Sequence, residues 1–227
     1  MSNLDRFIET FLNEAVLAKY TPAILQGVWV TIELSVLIVI AGTLVGTALA
    51  CIRAYRMRPV SFLIVIYADI FRALPPLVLI LLAYFGLPNI GVTLSSATVL
   101  FVILGLTLGA FAEEIVWAGI TSTDKGQWEA ARSTGLNFTQ TLIFVVLPQA
   151  VRMVIPPLTN RAIAITKMTA LGTVIGVPDI LNQATTAQSF SGNASPLTLA
   201  AVAYVALFLP FVILSRWLES RFAWKKG

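Results

Sequence analysis

The stretch VWVTIELSVLIVIAGTLVGTALACI, Val28 to Ile52, carries a single charge, Glu33, in 25 positions. Crossing the hydrocarbon of a bilayer takes about 20 apolar residues in a helix, and this stretch is long enough. Comparable runs recur at about Val60 to Phe85, Ala97 to Ile120, Thr141 to Val177 and Leu197 to Trp217. The chain has 227 residues, of which 58% are hydrophobic and only 11% charged. A soluble domain carries about 25% charged residues, so there is too little polar material here to cover a water-facing surface. The expectation is an all-α membrane protein with five transmembrane helices. The fourth run is too long for one straight helix and holds Pro148, Pro156 and Pro157, so a kink or a split is expected there.

Cys51 is the only cysteine, which excludes an internal disulfide, and the absence of histidine excludes His-based metal sites and His general-base catalysis. No nucleophile and base can be paired, so the chain reads as no enzyme. The net charge of +4 is not a nucleic-acid signal in such a chain; basic residues here mark the cytoplasmic side. Arg53, Arg56 and Arg58 follow the first run, Lys125 and Arg132 lie between the third and fourth, and Arg216, Arg221, Lys225 and Lys226 end the chain. The connections at Leu87 to Ser96 and Pro178 to Pro196 hold no Lys or Arg. This asymmetry places the N-terminus outside and the C-terminus in the cytoplasm, in agreement with an odd number of spans. Residues 1–20 are amphipathic, with Phe7, Ile8, Phe11, Leu12, Ala15 and Val16, as for a helix on the outer membrane surface. Their mixed charge and broken apolar pattern do not match a signal peptide. Residues 21–222 read as one membrane domain with a cytoplasmic loop at about 121–140.

That loop contains GQWEAARSTGLNFTQTLIFVVLPQA, Gly126 to Ala150. Asp124 is suited to cap a helix start and Gly135 to end it in the left-handed conformation. Trp128, Ala131 and Gly135 fall on one face. Asn137 with Gln140 has the form of a capping box opening a new helix. From these residues alone the short helix is either a surface linker or a docking helix for a cytoplasmic partner.

The segment EAARSTGLNFTQTLIFVVLPQA resembles the EAA loop of the permease subunits of bacterial ABC importers. The matching positions are Glu129, Ala130, Ala131, Gly135, Leu147 and Pro148, with Lys125 to Trp128 before them and Ile155 to Asn160 (IPPLTN) after. These flanks are similar to the polar amino acid branch, which imports His, Arg, Gln, Glu and opines. TIELS (Thr31 to Ser35), YADIFRALPPLVL (Tyr67 to Leu79), YFGLP (Tyr84 to Pro88) and FAEEIVWAGI (Phe111 to Ile120) follow the family order, so the resemblance covers about residues 24–222. It implies the transmembrane domain of a type I ABC importer in the bacterial cytoplasmic (inner) membrane. It implies ATP and Mg2+ on separate ATPase subunits, and this chain has no G-x-x-x-x-G-K-[ST] phosphate loop of its own. It also implies an extracytoplasmic solute-binding protein, a second permease chain in a homodimer or heterodimer, and a polar amino acid as solute. Glu129 would be the polar anchor on the ATPase, with Trp128 and Arg132 beside it; Ala130 and Ala131 would allow close contact and Gly135 would set the turn.

Ionisable residues inside spans are functional candidates. Asp69 and Arg72, three apart, can pair on one helix face near the kink expected at Pro75 and Pro76. Glu33 can snorkel to the outer interface. Glu113 and Glu114 suit an interfacial or inter-helix polar role. An α-amino acid needs donors for its carboxylate and acceptors for its ammonium group. Lys167 or Arg161 could meet the carboxylate, with Asn160 and Thr169 as adaptable partners. Polar glue between permease chains is the other reading of the same residues. Three places depart from the family: Ala73 and Leu74 stand for Gly-Thr, Met168 and Ala170 interrupt Lys-Asp-Thr-Ser-Leu, and Trp117 replaces a basic residue. These losses leave open that the partner permease chain holds the solute site. A secondary transporter or channel, or a non-transporting scaffold, is the competing class. A secondary transporter would show inverted repeats, and none is visible.

Overall fold

A computed structural model describes residues 2–222. Every regular element among the described residues is helical. The helices are α1 (Asn3–Phe11), α2 (Glu14–Ala54), α3 (Arg58–Ala73), α4 (Pro76–Gly86), α5 (Ser96–Ser122), α6 (Lys125–Ser133), α7 (Phe138–Thr141), α8 (Leu147–Lys167), α9 (Ile180–Ser191) and α10 (Ser195–Phe222). Short 3-10 segments occupy Leu87–Ile90 and Met168–Ile175, and a π segment occupies Leu142–Val146. Four helical stretches are long and apolar enough to cross a membrane, or five when the broken pair Arg58–Ala73 and Pro76–Ile90 is counted as one.

Several sequence expectations are sharpened or corrected. The run Val60 to Phe85 bends by 102° at the kink expected near Pro75 and Pro76: Leu74 adopts φ −88°, ψ 137°, and the helix restarts at Pro76. Leu74 precedes Pro75, and the proline ring disfavours the α region for the residue before it. Of the kink or split expected in the fourth run, the split does not occur. The run stays helical from Phe138 to Ile175. Pro148 cannot supply an N–H, and the turns just before it widen, so that the Leu147 N–H reaches back to the Leu142 carbonyl. The amphipathic segment is shorter than residues 1–20: α1 ends at Phe11 and α2 begins at Glu14. The connection Pro178 to Pro196 holds a helix, α9, which has no apolar periodicity to announce it.

The chain forms two compact units. The first takes the residues up to Ile38, Leu77–Leu104 and Thr166–Val212. In it Ile24, Ile180, Ala184 and Ala200 form a buried cluster. Asp179, buried, caps α9 by accepting from the Asn182 N–H at 2.9 Å and also accepts from Thr173 Oγ1 at 2.9 Å. Burial pushes its carboxyl above the usual range, with these hydrogen bonds opposing. A Cβ on Gly27 would lie 2.7 Å from the Asp179 carbonyl oxygen, so α2 needs glycine where it meets the start of α9. The end of α1 is tied to the turn before α10: the Ala194 N–H donates to Thr10 O at 3.0 Å, and Asn193 Nδ2 donates to Glu9 O at 2.7 Å. Leu4, Phe7, Ile8 and Phe11 of α1 are exposed.

The second unit takes Val39–Pro76, Gly105–Ile165 and the residues from Ile213. Its core gathers Ala50, Ala54, Val116, Ile120, Leu142, Val146, Ala150 and Val154. Here α2 and α5 approach closely. A Cβ on Gly46 would lie 2.5 Å from both the Ala112 Cβ and the Gly109 carbonyl oxygen. Small residues at such crossings allow backbones to touch, the main source of helix association in lipid. Gly105, by contrast, has nothing within 4 Å of an added Cβ. Gly46→Ala is therefore expected to lower stability by about 1–3 kcal/mol through overpacking, whereas Gly105→Ala leaves it unchanged or raises it through helix propensity. Thermal melting of the purified variants checks this; equal melting temperatures would contradict the crossing.

Candidate functional site

Helix α6 is defined at both ends by local chemistry. Asp124 Oδ1 accepts from the Gly126 N–H at 2.7 Å, and Gly135, at φ 90°, turns the chain out of the helix. Asn137 and Gln140 then form a reciprocal capping box, each backbone N–H donating to the other's side chain at 2.9 Å. The three cap expectations agree with the structure.

The inner face of α6 packs on α7 and the π segment. Trp128 stacks on Phe138 with ring centroids 5.3 Å apart, and Tyr55 meets the other partner of that stack, Phe138, at 5.0 Å. Tyr55 Oη and Thr139 Oγ1 lie 2.9 Å apart. Trp128, Phe138 and Leu147 pack against the core cluster of the second unit. Ala131 is only 8% exposed. This corrects one expectation: Ala131 faces its own chain and is not free to touch a partner. The outward face shows Glu129, Ala130 and Arg132, all exposed. Gly135 and Pro148 are exposed too. Glu129 also lines a cavity of about 360 Å³ with Arg56, Trp117, Thr121, Lys125 and Phe138.

Below this seat lies an ion pair that sequence reading saw only as two separate charges. Arg53 Nη1 donates to Glu113 Oε1 at 3.0 Å. The Glu113 side chain is fully buried and that of Arg53 is 18% exposed. The Arg53 guanidinium sits 4.6 Å from the centroid of Trp117. Arg53 counted as an orientation marker in the sequence; a charge in Glu113 inside an apolar run was the signal that it needed a partner. The inter-helix role expected of Glu113 and Glu114 matches these contacts.

A second polar cluster sits on α3, α5 and α8. Arg72 prefers Glu114, at 2.7 Å, to Asp69, which lies 3.9 Å away and is 68% exposed. The expected Asp69–Arg72 pair is thus the weaker of the two. Phe111 receives two guanidinium groups, Arg161 at 3.9 Å and Arg72 at 5.8 Å from its centroid. Asn160 is drawn elsewhere: its Nδ2 donates to Glu219, and its Oδ1 accepts from Ser215 Oγ at 2.5 Å. An α8–α10 link therefore occupies the amide expected to be adaptable, and sequence spacing could not reveal partners 55 and 59 positions away.

In the first unit, Thr169 is fully buried and its Oγ1 donates to Thr166 O at 2.8 Å. It is a structural hydroxyl here and not an open partner for a solute. Lys167 is exposed, with Nζ 5.9 Å from the centroid of Phe208. It lines a cavity of about 440 Å³ whose other walls include Tyr204, Val205, Phe208 and Leu209. No cluster of metal-ligating side chains occurs among the described residues.

These features define a multi-pass helical membrane protein with a short polar helix seated between two apolar spans. The family described as "Binding-protein-dependent transport system inner membrane component" matches residues 39–224, and the chain belongs to it. The probable glutamine ABC transporter permease protein GlnP of Bacillus subtilis (strain 168) is 35% identical over 200 residues, 86% of this chain and 92% of its own. The arginine transport system permease protein ArtQ of the same organism is 32% identical over 202 residues, 88% of this chain and 92% of its own. A crystal structure of an amino acid ABC transporter with histidines superposes with a TM-score of 0.82 at 33% identity, covering 90% of this chain and 96% of that one. The chain is a permease subunit of an ABC importer.

The buried pair yields a prediction. Glu113→Ala leaves Arg53 without its buried partner and is expected to cost about 3–5 kcal/mol. Replacing both, Arg53→Met with Glu113→Leu, should recover most of that loss, because two apolar side chains leave no charge unpaired. Melting temperatures of the single and double variants decide it; a double variant as unstable as the single one would contradict the pairing.

Proposed function

We propose that this permease moves polar amino acids or closely related compounds into the bacterial cytoplasm by alternating access. Its N-terminus lies outside and its C-terminus inside, with the broken α3–α4 stretch counted as the second of five spans. The basic residues of the α2–α3 turn, of α6 and of the tail support that orientation. Separate ATPase subunits bind ATP and Mg2+. An extracytoplasmic binding protein delivers the solute, and a second permease chain, identical or not, completes the membrane part.

The observation that carries this reading is α6: a helix capped at both ends, fixed by Trp128 and Ala131, and presenting Glu129 and Arg132 to water. Glu129 is the anchor for the ATPase, Ala130 lets the partner surface come close, and Gly135, Leu147 and Pro148 set the path from the helix into α8. When ATP draws the two ATPases together, each α6 follows. Two conformations are then stabilised to different degrees by nucleotide, which is how a ligand shifts such an equilibrium.

Amino acids as solutes are supported by the names of the relatives above. A zwitterion needs a cation for its carboxylate. Arg161, held against Phe111, and Lys167, at its apolar cavity, supply cations; Asp69 and Arg72 add an acid and a further cation near Phe111. Asn160 and Thr169 act by holding α8 and its continuation in place.

Two substitutions test this. Glu129→Arg reverses the anchor charge, and like charges at a contact cost several kcal/mol; the amount of ATPase that co-purifies should fall by roughly tenfold or more. Undiminished recovery of the ATPase would refute the anchor. Lys167→Ala should keep the ATPase bound but lower uptake of labelled amino acid by the reconstituted complex. Wild-type uptake together with wild-type ATPase stimulation would remove Lys167 from the pathway. Uptake by vesicles holding this chain without an ATPase would favour a secondary transporter.

A further inference from the structure

The turn between α2 and α3 collects three arginines in a short span, Arg53, Arg56 and Arg58. Only Arg53 has a carboxylate partner, Glu113. Among the described residues neither Arg56 nor Arg58 forms an ion pair, and both are exposed. A cavity of about 390 Å³ opens between them, lined by Arg53, Arg56, Arg58, Ser61 and Trp117. No acidic side chain lines it. The Ser61 hydroxyl, on the cavity wall, is buried and has no hydrogen-bond partner.

The backbone is committed to this arrangement. Arg56 takes φ 55°, the one positive φ at a non-glycine among the described residues. It sits where a helix usually ends in glycine, and a bulky residue there is a local strain that points to function when it is retained. The Arg56 N–H still bonds to Arg53 O at 2.9 Å, which fixes the turn. Arg58 and Pro59 then open α3.

The surroundings favour an amphiphile over a free anion. The turn follows directly on the apolar run ending at Ile52 and so lies at the edge of the hydrocarbon. Among and just beyond the arginines, Met57, Phe62, Leu63 and Ile66 are exposed, Phe62 and Leu63 each at 65%. Acyl chains cover such side chains; a soluble phosphate leaves them bare. Basic pockets between transmembrane helices on the cytoplasmic side are suited to anionic headgroups, and guanidinium groups match phosphate oxygens in geometry as well as charge.

We propose that the α2–α3 turn binds the phosphate of an anionic phospholipid, with Arg56 and Arg58 as its ligands, Ser61 as a hydroxyl donor, and Arg53 held behind them by Glu113. The lipid is a structural ligand bound beside the polar helix. Arg56 and Trp117 also line the cavity that Glu129 faces, so a bound headgroup would brace that side of α6. The proposal does not depend on which solute is carried.

The test is native mass spectrometry of the assembled complex, released from mixed phosphatidylglycerol and phosphatidylcholine. Wild-type complex should retain phosphatidylglycerol selectively. R56Q with R58Q should retain roughly tenfold less or lower still, since each basic residue near the surface adds to lipid attraction, while R56K with R58K keeps most of it. Equal retention by the glutamine variant, or equal retention of phosphatidylcholine by the wild type, overturns the proposal. So does displacement of the lipid by millimolar inorganic phosphate, which would make the site one for a soluble anion. Loss of the ATPase with the lipid still bound would assign the arginines to a protein partner and also overturn it. If the glutamine variant does not assemble, the wild-type melting temperature decides: it should rise with phosphatidylglycerol and not with phosphatidylcholine, and no difference counts against the site.

Discussion

Hydrocarbon offers no hydrogen bonds, so a chain immersed in it must satisfy its own backbone N–H and C=O groups. That constraint accounts for the helicity of the spans and gives several prolines a visible consequence. Pro75 and Pro76 end one helix and start the next. Ahead of Pro148 the helix widens to i→i−5 pairing. Within α8, Pro156 and Pro157 remove the donors that would otherwise reach the Arg152 and Met153 carbonyls, yet the helix continues through them.

The same constraint isolates the one short helix that belongs in water between α5 and α8. Because α6 has nothing apolar to bury on its outer face, its hold on the molecule is the inner face alone. Trp128 and Ala131 provide that hold, and Phe138 passes it on to the cluster of Ala50, Ala54, Val116 and Ile120. Directly along α2 and α5 from that cluster, Arg53 and Glu113 form a pair that cannot be pulled apart cheaply, since a separated buried charge is costly. A force applied at Glu129 thus meets close-packed rings, a buried ion pair and small-residue crossings. None of these yields continuously in the way a flexible loop does.

Much of this was legible in the sequence where the signal is local. The ends of α6 and the start of α7 follow from Asp124, Gly135, Asn137 and Gln140, whose side chains or backbone freedom act within four residues. The apolar runs are equally plain, because composition alone decides them. Long-range pairings were not legible. Asn160 read as an open polar group, but Ser215 and Glu219 claim it. Ala131 read as an outward contact because a helical wheel does not say which side faces the protein. Pro75 and Pro76 signalled a bend, but the break in the second span depends on where Leu74 is allowed to go. Helix α9 gave no periodic signal, since its start is fixed by a buried aspartate held by Thr173 and the Asn182 N–H.

The decisive measurement is the ratio of ATP hydrolysed to solute taken up in proteoliposomes holding the permease, its ATPase and its binding protein, with Trp128→Ala compared with wild type. The substitution leaves Glu129, Ala130 and Arg132 facing outward but removes the ring that seats α6 on Phe138. If the seat transmits motion, the ATPase still binds and hydrolyses ATP, uptake falls, and the ratio rises several-fold. An unchanged ratio with normal uptake would contradict the idea that α6 is a rigid handle.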